Sequence, residues 1–449
     1  MAVTNIIKLS ELEGAKRVDA EYYQPEYFYL LDKLRRSGAV PVRKISLPAK
    51  RKFHPKENEV FDYIEIAEVD LSTGEANTSR IVGKEAPDRA QWIVKKDDVL
   101  VSTVRPIRNA VVLVREKQDN LVCSSGFCVL QPKDISPEYL FLYFKTDTIA
   151  YLLDRYTTAT EYPAVSWDDI LNIPIYLGDS SFRKNISNLV QKAFALLEES
   201  KALYSQAEIQ LLEELKLKDF KPKYEVSYTA NLSKAFGAHR VDAEYFQPAY
   251  EEVIKKIVGY GNGSAPLLSC VENIKSDFDP TKYPGKSFSY VELSNIDTSI
   301  GIIHSISEIK GEEAPSRARR VLRNKDVIVS SVEGSLEKVA LVNEEYEESL
   351  ASTGFFQFRA VRILPEVLLV LSKSMVLQAQ LKKECTGTIL TAVPNSSLKR
   401  ILIPVLQDKT QQKIASFVQQ SHEARRKAKE LLAEAKSKVE EAIENEIKK

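Results

Sequence analysis

The chain has 449 residues, 44% hydrophobic and 28% charged, the mix of an ordinary globular protein with room for about two to four domains. Its 63 basic and 63 acidic residues cancel, which excludes a uniformly cationic coat or a basic tail for nucleic acid but leaves local basic patches open. The four cysteines (Cys123, Cys128, Cys270, Cys385) have no CxxC spacing and the four histidines are scattered, so neither a zinc site nor a disulfide framework is expected and a reducing, cytoplasmic setting is. The first residues lack the apolar core of a signal peptide. The most apolar window, 361–371, is broken by Arg362, Pro365 and Glu366, so no membrane span is expected.

The first organised stretch is Arg17-Val-Asp-Ala-Glu-Tyr-Tyr-Gln-Pro-Glu-Tyr27, and it returns as Arg240-Val-Asp-Ala-Glu-Tyr-Phe-Gln-Pro-Ala-Tyr250 with nine of eleven positions identical. The two copies stay in register beyond it. Phe61-Asp-Tyr-Ile-Glu-Ile66 matches Phe288-Ser-Tyr-Val-Glu-Leu293, an alternating strand pattern. Gly83-Lys-Glu-Ala-Pro-Asp-Arg-Ala90 matches Gly311-Glu-Glu-Ala-Pro-Ser-Arg-Ala318, a turn-rich connection. Asp98-Val-Leu-Val-Ser-Thr-Val104 matches Asp326-Val-Ile-Val-Ser-Ser-Val332, a buried strand ending in a hydroxyl pair. Ser124-Ser-Gly-Phe127, Ala164-Val165 and Ile173-Pro-Ile175 also have partners, at 352–355, 392–393 and 403–405. The period is far longer than a solenoid unit, so these are duplicated α/β (α+β) domains.

Each copy runs into a long helical stretch. Residues 181–217 contain no Pro or Gly, and Val190, Leu197, Tyr204 and Leu211 recur every seven residues. Residues 411–449 repeat the pattern, with Ile414, Ser421, Ala428, Ala435 and Ala442 as one row and Phe417, Ala424 and Leu431 as a second. A seam sustained over roughly five heptads reads as a coiled coil, here of the two helices with each other; pairing of each with another protein is the alternative. The expected organisation is a first domain at 1–180, a first helix at 181–218, a second domain at 219–407 and a second helix at 408–449.

Catalytic signatures are absent. Pro284-Gly-Lys-Ser287 has the tail of a P-loop, but Pro280 stands where the upstream glycine is needed. Glu308, Lys310 and Asp297 imitate a nuclease triplet that chance supplies in any chain rich in Lys and Glu. No metal site is expected. Basic runs are more informative. Lys50, Arg51, Lys52 and His54 lie in the acid-free segment 43–56; Arg317, Arg319 and Arg320 lie in another; Arg105, Arg108 and Asn109 follow the hydroxyl-tipped strand. Arg and Asn read guanine and adenine edges, while Lys, Ser and Thr suit phosphates. The bland reading of each run is a solvated face. For the Arg17/Asp19 and Arg240/Asp242 motif, a structural ion-pair and cap cluster at a helix entry is expected rather than ligand contact.

The paired Arg-Val-Asp-Ala-Glu-Tyr motifs, the strand–loop segments 99–108 and 327–335, and the stretches 158–177 and 386–406 that run into long helices together resemble the specificity subunit of type I restriction-modification systems, over essentially the whole chain. The resemblance implies two target recognition domains, each reading one half of a bipartite, asymmetric site in double-stranded DNA, with the two helices packed antiparallel as a spacer. It implies no enzyme activity and no cofactor in this chain. The partners it implies are two modification (methyltransferase) subunits that use S-adenosylmethionine to methylate adenine N6, and restriction subunits with ATP- and Mg-dependent translocase and nuclease activity. It adds Ser102, Thr103, Thr158, Thr160, Tyr162, Ser330, Ser331, Ser335, Lys338, Thr386, Thr388 and Thr391 to the DNA-facing set. The rivals are a self-sufficient nuclease or methyltransferase, and a coiled-coil oligomerisation protein with no DNA function. Balanced charge implies weak DNA binding by the chain alone.

Overall fold

Proline at the first helical position and apolar residues three and four apart make the first long helix of the described residues. Helix α1 (Pro25–Arg36) buries Tyr27, Leu31 and Leu34 and carries Lys33, Arg35 and Arg36 in its last turn, where the helix dipole favours cations. The computed structural model describes residues 4–10, 12, 17–158, 163–387 and 390–448. By compactness the chain divides into two units, Met1–Leu196 with Lys427–Lys449, and Leu197–Arg426.

In the described residues of the first unit ten short strands follow α1: β1 (Val40–Pro41), β2 (Ser46–Pro48), β3 (Val60–Ile64), β4 (Ser79–Val82), β5 (Ala90–Ile93), β6 (Val99–Ser102), β7 (Val111–Leu113), β8 (Leu121–Ser124), β9 (Phe127–Pro132) and, after helices α2 (Pro137–Phe144), α3 (Asp147–Asp154) and α4 (Trp167–Asn172), β10 (Pro174–Ile175). They form two four-stranded sheets, ordered β2-β9-β6-β7 and β4-β3-β8-β5, and a small β1-β10 pair. Among the described residues only β3 and β8 run parallel; the other pairs are antiparallel. The continuous apolar runs of β6, β7 and β8 are buried on both faces, as their lack of alternation requires. Helix α5 (Ser180–Glu214) leaves this unit and ends in the other.

The second unit contains α6 (Leu232–Ala238), α7 (Pro248–Val258), β11 (Ser264–Pro266), α8 (Leu267–Cys270), β12 (Val271–Asn273), β13 (Ser287–Val291), β14 (Ile296–Asp297), β15 (Ile302–Ile303), β16 (Ser307–Lys310), β17 (Ala318–Val321), β18 (Val327–Ser330), β19 (Val339–Leu341), β20 (Leu350–Ser352), β21 (Phe355–Ala360), α9 (Pro365–Lys373), α10 (Met375–Glu384) and β22 (Leu402–Pro404), and the start of α11 (Asp408–Lys448). Its sheets, β12-β21-β18-β19 and β16-β13-β20-β17, repeat those of the first unit strand for strand, down to one parallel pair, β13 with β20. Even the bulge recurs, between Ala90 and Trp92 and between Ala318 and Arg320. Gly83 and Gly311 are matched because a Cβ on either would overlap a backbone carbonyl, that of Lys56 or of Tyr283.

The long helices obey the heptad seam. In the second unit Tyr204, Ala207 and Leu211 of α5 share one apolar cluster with Ile414 and Val418 of α11. The Ser200 and Ser421 hydroxyls each donate to the other residue's carbonyl, at 2.7 Å in both directions. The Thr410 hydroxyl lies 3.4 Å from the Glu214 carboxylate, so the two helices run antiparallel there. Val190 and Leu197 are fully buried, as are Ala428 and Ala435. The second row of α11, however, is Val418, Arg425, Leu432 and Val439, one position on from Phe417, Ala424 and Leu431. Phe417 and Leu431 are half-buried, because the alternating three- and four-residue step carries them to the edge of the seam.

Candidate nucleic-acid interface

At the end of β6 the chain cannot continue straight. Arg105 (φ 47°) and Asn109 (φ 60°) both adopt the left-handed conformation around a short 3-10 turn, Pro106–Arg108, before β7 returns. Such a conformation is natural for Asn but costs an Arg on the order of 1 kcal/mol or more. The second unit makes its turn with Gly334 (φ 81°) and meets no such cost. Arg108 is exposed and Arg105 half-exposed.

A second loop lies against the first. Val104 and Ala164 form an antiparallel bridge, as do Thr158 and Ala164, and the Arg105 amide donates to the Pro163 carbonyl at 2.7 Å. The other unit does the same with Val332, Ala392 and Thr386, and the Glu333 amide donates to the Thr391 carbonyl at 2.9 Å. Thr158 and Thr386 are exposed and Thr391 half-buried. Thr160, Tyr162 and Thr388 lie outside the described residues.

The repeated opening motif holds the base of this second loop. Arg17 forks onto Asp19 at 2.8 and 2.9 Å and donates to the Thr157 carbonyl at 2.9 Å. Arg240 forks onto Asp242 at 2.7 and 2.8 Å and donates to the Cys385 carbonyl at 2.8 Å. Each aspartate also accepts the amide of Tyr22 or Tyr245, capping the short turn that follows. Hydrogen bonds from the arginines hold both carboxyls below the usual carboxylate range. The motif is an ion-pair and cap cluster in both copies.

The hydroxyl pairs at the strand ends have a different job from the DNA contact expected of them. Thr103 donates to the Gly126 carbonyl and Ser331 to the Gly354 carbonyl, both at 2.9 Å. Ser102 donates to the Val104 carbonyl at 2.8 Å, and Ser330 lies 3.1 Å from the Ser335 hydroxyl. These side chains are buried and lock the loop bases to the neighbouring turn. Asn109 likewise donates inward, to the Lys145 carbonyl at 2.8 Å. Burial lowers the Lys145 ammonium to about 8, and that ammonium donates to the Asn109 and Leu71 carbonyls.

The basic runs divide. Lys50, Lys52, His54 and Arg317 are exposed, with the Lys50 ammonium 5.3 Å from the Trp167 ring. Arg51 turns inward to the buried Asp98, whose carboxyl burial pushes up. Arg319 pairs with Asp279 at 2.9 Å. Arg320 is 4% exposed and donates to the Ile274 carbonyl at 2.7 Å. Lys338 is half-buried beside the Ile296 carbonyl. Arg89, the partner of Arg317 in the repeat, is exposed too, although it stands outside any basic run and has no distinguishing signal in the sequence. The nuclease-like triplet dissolves: Asp297 pairs with buried Arg425 at 3.0 Å and Glu308 accepts from Ser289 at 2.8 Å. Among the described residues no group of three or more His, Cys, Asp or Glu is placed to hold a metal, and no helix is long and apolar enough to cross a membrane.

Residues 42–230 match the family described as "Type I restriction modification DNA specificity domain". Over 111 residues, 24% of this chain and 24% of the other, the sequence is 26% identical to the type I restriction enzyme HindI specificity subunit of Haemophilus influenzae, so the aligned stretch spans about a quarter of that relative. Three solved structures are similar. One, described under complex assembly and conformational transition of the type I R-M system, is 18% identical over 91% of this chain and 96% of that one, with a TM-score of 0.33. The HsdS subunit from Thermoanaerobacter tengcongensis is 19% identical over 90% and 95%, with a TM-score of 0.34. The type I S subunit from M. genitalium is 12% identical over 89% and 94%, with a TM-score of 0.37.

Proposed function

We propose, from the match of residues 42–230 to the type I restriction-modification DNA specificity domain family, that this chain is the non-catalytic sequence-recognition subunit of such a system. Each unit reads one half of a bipartite, asymmetric duplex site through its paired loops, 102–109 with 157–164 and 330–338 with 386–392. The observation that carries this reading is the repetition of one bridged loop pair on one scaffold with different residues at the tips.

The physics of discrimination supports two readers in one chain. A domain reading a few base pairs gains ~1–3 kcal/mol per position, too little against a genome of competing sites. Two linked domains combine their selectivities, because the second engages at high effective concentration once the first has bound. The link has to be stiff. Helices of 35 and 41 residues, at about 1.5 Å per residue, are rods of ~50–60 Å that set the gap between half-sites. Methyltransferase subunits dock on the chain and modify adenine N6, supplying S-adenosylmethionine and part of the phosphate grip that a chain of zero net charge lacks; restriction subunits add ATP-driven cleavage.

Reconstitution with methyltransferase subunits, followed by mapping of N6-methyladenine on a plasmid library, tests this. One interrupted, asymmetric sequence carrying every methyl group is the expected result. Methylation by the chain alone, or at no defined sequence in its presence, would overturn the reading.

A further inference from the structure

Arg89 and Arg317 occupy the same position in the two units and are displayed by the same device. Each ends a tight turn closed by a 2.9 Å bond, from the Ala90 amide to the Pro87 carbonyl and from the Ala318 amide to the Pro315 carbonyl. Each has its own carbonyl held by the turn that joins β8 to β9 or β20 to β21, from the Ser125 amide at 2.7 Å and from the Thr353 amide at 2.8 Å. That turn also carries Gly126 and Gly354, the acceptors of the Thr103 and Ser331 hydroxyls at the loop bases. Both arginines therefore stand at the loop end of their domain, on backbone fixed at both sides. Both side chains are exposed, and among the described residues neither has a carboxylate within 4 Å. Three other arginines of the neighbouring runs are used within their own domain: Arg51 on Asp98, Arg319 on Asp279, Arg320 on the Ile274 carbonyl.

A side chain identical in both units cannot encode a difference between two half-sites. What two half-sites of different sequence have in common is the sugar–phosphate backbone. We infer that Arg89 and Arg317 are an equivalent pair of DNA-phosphate contacts, one per domain, which seat each recognition end on the duplex without reading bases. The inference rests on the DNA-specificity reading above. An exposed guanidinium on rigid backbone suits the task, because it grips phosphate in a fork and loses little freedom on contact. It also separates the tasks at this end of the domain: the shared arginine supplies sequence-independent grip, and the divergent loop supplies choice.

The test uses the full-length chain assembled with methyltransferase subunits and a fluorescent duplex of random sequence, titrated by anisotropy between about 50 and 200 mM salt. Arg89→Ala and Arg317→Ala should each weaken binding and lower the slope of log affinity against log salt by about 0.9, the value for one phosphate, with about twice that in the double variant. Arg89→Lys and Arg317→Lys should retain most of the slope, since the charge remains. Thermal melting of each variant should match the wild type, as befits exposed side chains. An unchanged slope in the alanine variants, with wild-type binding intact, would overturn the inference alone; so would a loss confined to duplexes that differ at one half-site, which would make the arginine a base reader. If the wild-type assembly showed no salt-dependent binding to any duplex, the DNA reading would fall and this inference with it.

Discussion

The two loops that follow β6 and β18 begin from the same strand end, are locked by the same hydroxyl-to-carbonyl bond and are bridged to the same neighbouring loop, yet their tips have nothing in common. One is Arg105-Pro-Ile-Arg108-Asn109, cationic and held in two left-handed residues. The other is Glu333-Gly-Ser335, without a basic residue and turned by a glycine. The lesson is that backbone acceptors and short hydroxyls hold the base so completely that the tip is free to vary. Shared polar residues at these ends are therefore scaffold, with exposure separating the exceptions.

The largest expected effect breaks the comparison at one tip. Replacing Arg105 and Arg108 together by Ala should cost ~2–6 kcal/mol of discrimination, if each makes a bidentate contact, and only at the half-site read by the first unit. Competition binding against duplexes mutated in either half would check it; equal loss at both halves would contradict it.

Buried charge gives the next effect. Lys145 is lowered to about 8 in the fold by burial, against an ordinary 10.5. Between those values the unfolded chain holds a proton that the folded chain has released, so stability should rise with pH across that window, by at most ~3 kcal/mol. In Lys145→Met that contribution should be gone, so urea melts of wild type and variant should differ by a stability that grows with pH across this window. His422 acts in the same sense at lower pH. Burial keeps its ring neutral, 3.0 Å from the Ile300 carbonyl, so the second unit should lose stability as pH falls through 6.5, and His422→Gln should abolish that loss.

Arg17→Ala and Arg240→Ala should each cost about 2 kcal/mol, the worth of charge-assisted hydrogen bonds, and each should loosen only its own loop pair. Hydrogen exchange at the amides of Arg105 and Val165, or of Glu333 and Val393, would localise the effect. Loosening in both units from one substitution would argue against separate tethers. The smallest change is at the helix seam. Ser200→Ala should cost about 1 kcal/mol, because one buried donor is lost while the Ser421 hydroxyl keeps its bond to the Ser200 carbonyl.

The duplication and the fold were legible because apolar alternation and turn residues at matched spacing survive in both copies, and the family resemblance read from those motifs is borne out by the match over residues 42–230. The helix rows led by Val190 and Ile414 were legible from their heptads. The second row of α11 was not, because Arg425 sits inside the seam, paired with Asp297, while Phe417 and Leu431 offer an apolar row one step away. Ser102, Thr103, Ser330 and Ser331 read as DNA-facing because a hydroxyl at a loop mouth looks free in sequence; only the fold supplies the carbonyls that Ser102, Thr103 and Ser331 bind and the Ser335 hydroxyl beside Ser330. Arg51 misled for the same reason, since its partner Asp98 is 47 residues away. Arg89 was in plain view in a matched motif, but a lone cation carries no signal until its twin is found exposed in the same place.

The central claim is that two domains read two different half-sites at a fixed spacing. Selection of duplexes from a random library by the chain assembled with its methyltransferase subunits, followed by sequencing of the bound fraction, tests it most directly. The account expects an asymmetric, interrupted motif whose gap is constant, with one half alone relaxed when Arg105 and Arg108 are replaced. A single contiguous motif, a palindrome, or a gap that wanders from one bound duplex to the next would contradict it.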